Sequence, residues 1–324
     1  VISRLKAKFR LKNSYRQAEK IMKERAVNFY RAFSNLPPER FKGVAAVYAF
    51  CRYADDLVDK SHTKRDEQTI LKSLLDLENA LKFLYSEKDT SDSFSCDNSV
   101  FHQIWWPAFE DTVKKFNIPQ TSFLMQIEGQ RMDLSPDDIK TFDEFIEYCR
   151  LVASSVGLMM LPFLVKPDKE MDESFVKSCE DLGIAMQITN ILRDVGEDLR
   201  EKNKLYLPAS LMEEYGITRT ELESLSKHST EERIEDLIPS NFISLWEKLA
   251  SIADDYYASF EKKLSYFHTD CVASVFAAAR MYRGIADAVR EASYNCFTKR
   301  CYTPERIRRA VIAEADVIKH CIRF

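Results

Sequence analysis

Gln187-Ile188-Thr189-Asn190-Ile191-Leu192-Arg193-Asp194-Val195-Gly196-Glu197-Asp198 is the stretch whose periodicity decides the fold. Wound as a helix, it sets Gln187, Asn190, Asp194 and Asp198 at i, i+3, i+7 and i+11, a single stripe along one face. Ile188, Ile191, Leu192 and Val195 occupy most of the remaining circumference. A helix apolar nearly all round belongs in an interior, so its polar stripe should face a cavity. Asp194 and Asp198 stand one turn apart, a like-charge spacing that costs an isolated helix about 0.2–0.5 kcal/mol. Asp is also a poor helix former, so a positive group beside the pair is expected.

A second stretch repeats the pattern. Val44 to Asp59 (VAAVYAFCRYADDLVD) is apolar around most of its circumference, with Tyr48, Arg52, Asp55 and Asp59 at i, i+4, i+7 and i+11. Magnesium sites take one or two carboxylates and leave the other positions to water and substrate phosphates. Two such helices facing each other across a pocket would hold Mg²⁺ ions and grip a diphosphate. One D-x-x-x-D alone reads most simply as a solvated acidic face. Two, each on an apolar helix with Arg nearby, point to metal binding.

Outward from these stretches, composition narrows the class. With 7 Gly and 10 Pro in 324 residues, turns are few and long helices are favoured over sheet. A net charge of −4 gives no basic face for nucleic acid. The 8 Cys are scattered without C-x-x-C, and several lie in apolar helical runs, which reads as reduced, mostly buried thiols of a cytoplasmic protein. The 5 His show no zinc spacing. No run approaches 18 uninterrupted apolar residues, so no membrane-crossing helix is expected, and no secretory leader is visible. Residues 1–12 form a basic terminal extension. Arg4, Lys6, Lys8, Arg10, Lys12 and Arg16 read first as a solvated, frayed terminus, and second as a weak peripheral attraction to anionic lipid.

The punctuation predicts helices at about 13–35, 44–59, 66–86, 100–116 and 120–134, with a polar surface loop over 86–99. Ser135 caps a turn with Pro136 behind it, and Thr141-Phe142-Asp143-Glu144 has capping-box spacing and opens a helix through Leu164. The acidic helix follows over 174–199. Residues 200–208 form an irregular flap placed to close over bound diphosphate. Helices at 241–265 and 270–294 come next, and Thr303-Pro304-Glu305 caps a last one. No repeat or linker divides the chain, so residues 1–324 read as one all-α domain.

Both aspartate-rich stretches resemble the two motifs of the squalene/phytoene synthase family, whose members join two prenyl diphosphates head to head. Further blocks match in the family's order: Ala46 to Arg52; Glu128-Gly129-Gln130-Arg131-Met132-Asp133-Leu134; Tyr148-Cys149 with Val152 to Gly157; Tyr206-Leu207-Pro208; and Ala278-Ala279-Arg280-Met281-Tyr282. The likeness covers about residues 20 to 300. It implies a single-domain helical bundle of the isoprenoid-synthase type around a central apolar cavity. It also implies metal ligands at Asp55, Asp59, Asn190, Asp194 and Asp198, which agree with those read from the two stripes, and about three Mg²⁺ ions with substrate.

Magnesium held there would neutralise the leaving diphosphate, while Arg52 and Arg193 add bidentate donors to phosphate oxygens. The resemblance adds Tyr48, Gln187 and Tyr282 as substrate contacts, and carries Lys204, Tyr206 and Arg280 as substrate-binding positions. It makes Tyr148 catalytic, steering a proton or steadying the allyl cation. Phe29, Phe33, Phe50, Met159, Leu161 and Leu164 are offered as walls of a dry pocket, with plain core packing as the alternative for each.

The chain also departs from the family. Arg25-Ala26-Val27-Asn28-Phe29 stands where a Ser-Lys-Ser-Phe-like patch helps hold a diphosphate, leaving Arg25 and Asn28 to serve there. Arg150 replaces a usual Tyr, Ser154 a usual Gly, and Lys204 a usual Arg. The expected reaction joins two farnesyl diphosphates to dehydrosqualene through a cyclopropylcarbinyl diphosphate. Geranylgeranyl diphosphate to phytoene, or a squalene product, are alternatives. No Gly-rich dinucleotide signature is present, which favours a product formed without NADPH. Two further readings are a phosphatase releasing the free prenol and a non-catalytic helical scaffold that binds metal structurally.

Overall fold

The computed structural model describes residues 2–59, 67–86, 99–134 and 139–321, excluding the side chains of residues 2, 3, 27, 28 and 319–321. Of the loop expected over 86–99, only Ser86 and Ser99 are described, Ser99 opening a 3-10 turn, and the Ser135-Pro136 cap lies outside the described residues. In chain order the helices are α1 (Ile2–Arg25), α2 (Val27–Phe33), α3 (Pro38–Asp59), α4 (Glu67–Tyr85), α5 (Trp106–Phe116), α6 (Gln120–Met132) and α7 (Phe142–Cys149). They continue with α8 (Ser155–Leu164), α9 (Glu173–Glu197), α10 (Ala209–Glu214), α11 (Arg219–Ser226), α12 (Ser240–Glu261), α13 (Thr269–Glu291) and α14 (Glu305–Cys321). No strand occurs among the described residues. The chain is all-α, as its periodicity predicts.

Contacts group the chain into two compact units, Val1–Leu134 with Ser155–Pro167, and Ser135–Ser154 with Asp168–Phe324. The first is built on α3, which packs against α1, α4, α5, α6 and α8. Pro38 sits in its first turn, where a missing N–H costs nothing. Phe50 stacks on Phe109 at 4.9 Å and meets Phe123 edge-on at 5.0 Å, so this expected pocket wall is core. Helix α1 presents Ser14, Ala18 and Met22 to that core, and the Ser14 hydroxyl accepts the Ala108 amide at 2.8 Å, satisfying a donor in the first turn of α5.

Two expectations at this end need correction. The basic segment is helical from Ile2 onward rather than frayed. The first helix also ends at Arg25, because Ala26 leaves helical geometry (φ −140°, ψ 64°) before α2 begins. Neither Gly nor Pro marks that break in the sequence.

The second unit is built on α9, which packs against α7, α11, α12 and α13 and against the turn Arg150–Ser154. Asp172 caps α9, accepting the Phe175 amide at 2.8 Å. The Thr141 capping box forms as its spacing predicts, with Glu144 and Thr141 exchanging bonds of 3.0 and 3.1 Å. A second box, Thr218 with Glu221, opens α11, a helix the sequence reading did not place. Gly183 lets α9 approach the turn at Ser154, where a Cβ would strike the Ser154 backbone.

The run Phe142–Leu164 is helical throughout, with a π-type turn over Arg150–Ser154. Its 23 residues are long and apolar enough to cross a membrane by length and composition alone, a test that the core helix of a folded protein also passes. Half of its most apolar 18-residue window is buried within the protein. Its α8 part packs on α3 and α6, and its α7 part on α9, as a core helix does.

Candidate active site

In the first unit Tyr48, Arg52, Asp55 and Asp59 lie along α3, with Asp55 half-buried and Asp59 exposed. Gln130 of α6 donates its side-chain amide to Asp55 at 2.7 Å. Burial lifts the Asp55 carboxyl to about 7; Arg52 opposes this, while Asp59, Asp133 and Asp56 add to it. Arg52 binds Asp56 through Nε at 2.9 Å and again through Nη2, and reaches Asp59 at 3.4 Å. Arg25 meets the same Asp56 oxygen at 3.1 Å. Asp56 is therefore shared by two guanidinium groups, a role its place between the motif aspartates did not reveal. Tyr48 lies 5.9 Å from the Phe29 ring, which in turn packs on Phe33 at 4.7 Å. Met159 is fully buried against the Cys51 thiol at 3.8 Å. The side chain of Asn28 lies outside the described residues.

In the second unit α9 carries the other stripe. Arg193 holds Asp194 in a bidentate pair at 2.7 and 2.5 Å. Arg300, which no motif singled out, approaches Asp194 at 3.6 Å and also pairs with Glu197. Asp198 pairs with Lys202 at 3.1 Å, and Asn190 donates to Gln187 at 3.4 Å. The positive groups expected beside the aspartates are thus Arg193, Arg300 and Lys202. Burial raises the Asp198 carboxyl to about 6 against the pull of Lys202, with Asp194 and Glu197 pushing the same way. Tyr282 of α13 is half-buried within the fields of Arg193 and Asp194, and its removal from water raises its phenol. Gly196, between the two aspartates, donates its amide to the Cys296 carbonyl at 3.0 Å. A Cβ there would strike the Phe297 backbone.

The expected flap over 200–208 is not wholly irregular. Asp198–Lys202 continues α9 as a π-type turn, ending at Asn203 in the left-handed region (φ 52°). Arg200 ties it to the Ser226 and Phe297 carbonyls, and Arg219 binds the Asn203 carbonyl at 2.7 Å. Tyr206 stacks on Tyr148 at 5.2 Å, bringing together two residues from separate motifs, with Lys204 5.8 Å from the Tyr206 ring. Arg280 is placed elsewhere. It pairs with Glu261 at 2.7 Å and lies over Phe276, in a groove with Arg283 and Arg290. Two residues apart on α13, Arg280 and Tyr282 point to different sides.

Of the departures from the family pattern, Arg150 pairs with Glu147 at 2.7 Å and Glu180 at 3.7 Å. Ser154 donates to the Glu180 carbonyl at 2.5 Å. Both therefore fasten the π-type turn to its own unit.

The squalene/phytoene synthase family model matches residues 22–308. The chain belongs to the squalene/phytoene synthase family. A chloroplastic phytoene synthase of Oryza sativa subsp. japonica is 33% identical over 298 residues, 90% of this chain and 67% of that one. The 4,4'-diapophytoene synthase of Staphylococcus haemolyticus is 29% identical over 286 residues, 88% of this chain and 90% of that one. The crystal structure of a dehydrosqualene synthase in complex with ligand superposes with a TM-score of 0.79 at 30% identity, covering 96% of this chain and 98% of that one. The chain spans about two thirds of the length of the plant relatives.

The acidic residues of this family member suit a hard divalent cation. Each helix supplies carboxylates one turn apart, and half-buried Asp55 and buried Asp198 stand beside like charges that added positive charge would relieve. No group of three or more His, Cys, Asp or Glu able to hold a metal is brought together among the described residues.

Proposed function

We propose that the chain catalyses metal-dependent head-to-head condensation of two prenyl diphosphates, with magnesium as the metal. The observation that supports this most is the survival of both acidic pairs on buried helices, each with a guanidinium within bonding range. Asp55 and Asp59 on α3, and Asn190, Asp194 and Asp198 on α9 and its end, are the proposed ligands. The metal would supply the Lewis-acid pull that lets the diphosphate leave.

The chain's own residues do the rest. Arg52 and Arg193 orient phosphate oxygens, with Gln187, Tyr48 and Tyr282 as substrate contacts and Lys204 and Tyr206 as further substrate-binding positions. Ionisation of one prenyl diphosphate leaves an allyl cation, which bonds to the double bond of the second. Loss of a proton then closes a cyclopropane that still carries one diphosphate. Tyr148, buried and stacked on Tyr206, is the proposed residue for steering that proton or steadying the cation. The second diphosphate then leaves, and the resulting cation rearranges and loses a second proton to give a neutral linear hydrocarbon. A product formed without NADPH is the proposed outcome.

Farnesyl diphosphate giving dehydrosqualene is the first substrate reading. The phytoene synthases of plants keep geranylgeranyl diphosphate beside it. One observation favours a competing release of prenol: Arg25 is engaged with Asp56, and positions 26–28 lack the hydroxyls and Lys usual in the family.

The test is incubation of the purified chain with each diphosphate and Mg²⁺, with and without NADPH, and identification of the product. A thirty- or forty-carbon hydrocarbon supports condensation. A free prenol supports the phosphatase, and unchanged substrate overturns both.

A further inference from the structure

The first turns of α1 carry an exposed face that nothing in the proposed reaction uses. From Arg4 through Arg10 every described side chain is exposed. Leu5 is 60% and Phe9 73% exposed, one turn apart on the same side. Phe9 and Ala18 are nine residues, or about two and a half turns, apart, so Phe9 points away from the face that α1 buries. Arg4, Lys6, Lys8, Arg10, Lys12 and Arg16 surround the two apolar side chains, and no acidic residue precedes Glu19 in a chain whose net charge is −4.

We propose that this segment of α1 is a docking face for the surface of an anionic lipid bilayer. A helix lying in the interface buries large apolar side chains to a shallow depth while Lys and Arg extend their stems toward the headgroups. The outward Leu5 and Phe9, ringed by cations, fit that arrangement. Charge complementarity selects lipid over a second copy paired along this helix, which would set the same cations against one another. The choice of lipid also rests on the proposed reaction, whose substrates and product are largely hydrocarbon. The experiment uses no substrate, so its failure would leave that reading standing.

The test is co-sedimentation of the full chain with vesicles of phosphatidylcholine alone and of phosphatidylcholine with about one-third phosphatidylglycerol. Binding is expected to the anionic vesicles only, and to fall as salt rises. Lys8→Ala and Arg10→Ala should each lower the partition coefficient about fivefold. Phe9→Ser should lower it about tenfold or more, and Leu5→Ser should act in the same direction. These side chains are exposed, so helicity and melting temperature should stay unchanged. Three results would overturn the proposal: no binding to anionic vesicles, equal binding to neutral ones, or a dimer in light scattering that Phe9→Ser dissolves.

Discussion

Gln130 donates its amide to the Asp55 carboxylate at 2.7 Å, linking α6 to the first aspartate of α3. The bond fixes one oxygen of a half-buried acid whose other charged neighbours are mostly carboxylates. A hydrogen bond to a charged group contributes about 1.5–3 kcal/mol. Gln130→Leu should therefore lower kcat/KM by about tenfold to a hundredfold and raise the Mg²⁺ concentration needed for half-maximal rate. A magnesium titration of initial rates checks this. An unchanged half-saturation would mean that Gln130 does not position Asp55.

Arg25 and Arg52 share Asp56 in the first unit. If the altered patch beside Arg25 limits condensation, the combined change Ala26→Ser, Val27→Lys and Asn28→Ser should raise the ratio of hydrocarbon to prenol. Chromatography of both products measures it. A constant ratio would show that Arg25 or Asn28 already serves.

Gly196 carries a structural demand inside the second acidic motif. A methyl group added there meets the Phe297 backbone, which cannot rotate away. Gly196→Ala should destabilise the fold by about 1–3 kcal/mol. Asp194 and Asp198 flank the site, so turnover should fall as well. Thermal melting and the rate of diphosphate release check the two effects separately.

Glu235 provides a pH test away from the acidic motifs. Its bonds to Lys299 at 2.7 Å and Asn295 at 3.2 Å hold the carboxyl down at about 2, below the usual 4.5. A lowered folded value means stability that is present above pH 4.5, declines as the unfolded chain protonates first, and is gone below about pH 2. The melting-temperature gap between wild type and Glu235→Gln should narrow steadily from pH 5 to 2. A gap independent of pH would contradict the pairing.

Much of this was legible because helical periodicity and burial obey the same geometry. The stripes on α3 and α9, the box at Thr141 and the acidic side chains all follow from spacing. The break at Ala26 was not legible, since no Gly or Pro marks it. Helices α10 and α11 were missed although Thr218 and Glu221 carry the same capping signal used at Thr141. Phe50 shows the limit of residue type: an aromatic suited to a pocket wall is equally suited to stack on Phe109. Asp56 and Arg300 were overlooked, and Gln130 was noted only within a motif block, because their parts depend on tertiary neighbours, which one helix's pattern does not contain. Arg280 shows the converse, a motif residue committed to an ion pair with Glu261.

The central claim is that both aspartate pairs act through magnesium on a prenyl diphosphate. Diphosphate release from farnesyl and geranylgeranyl diphosphates in Mg²⁺ measures it most directly, in the wild type and in Asp55→Ala and Asp194→Ala. Loss of release in each variant, by about a hundredfold or more, with the fold retained by circular dichroism, is the predicted result. Near-normal release in either variant would contradict the account.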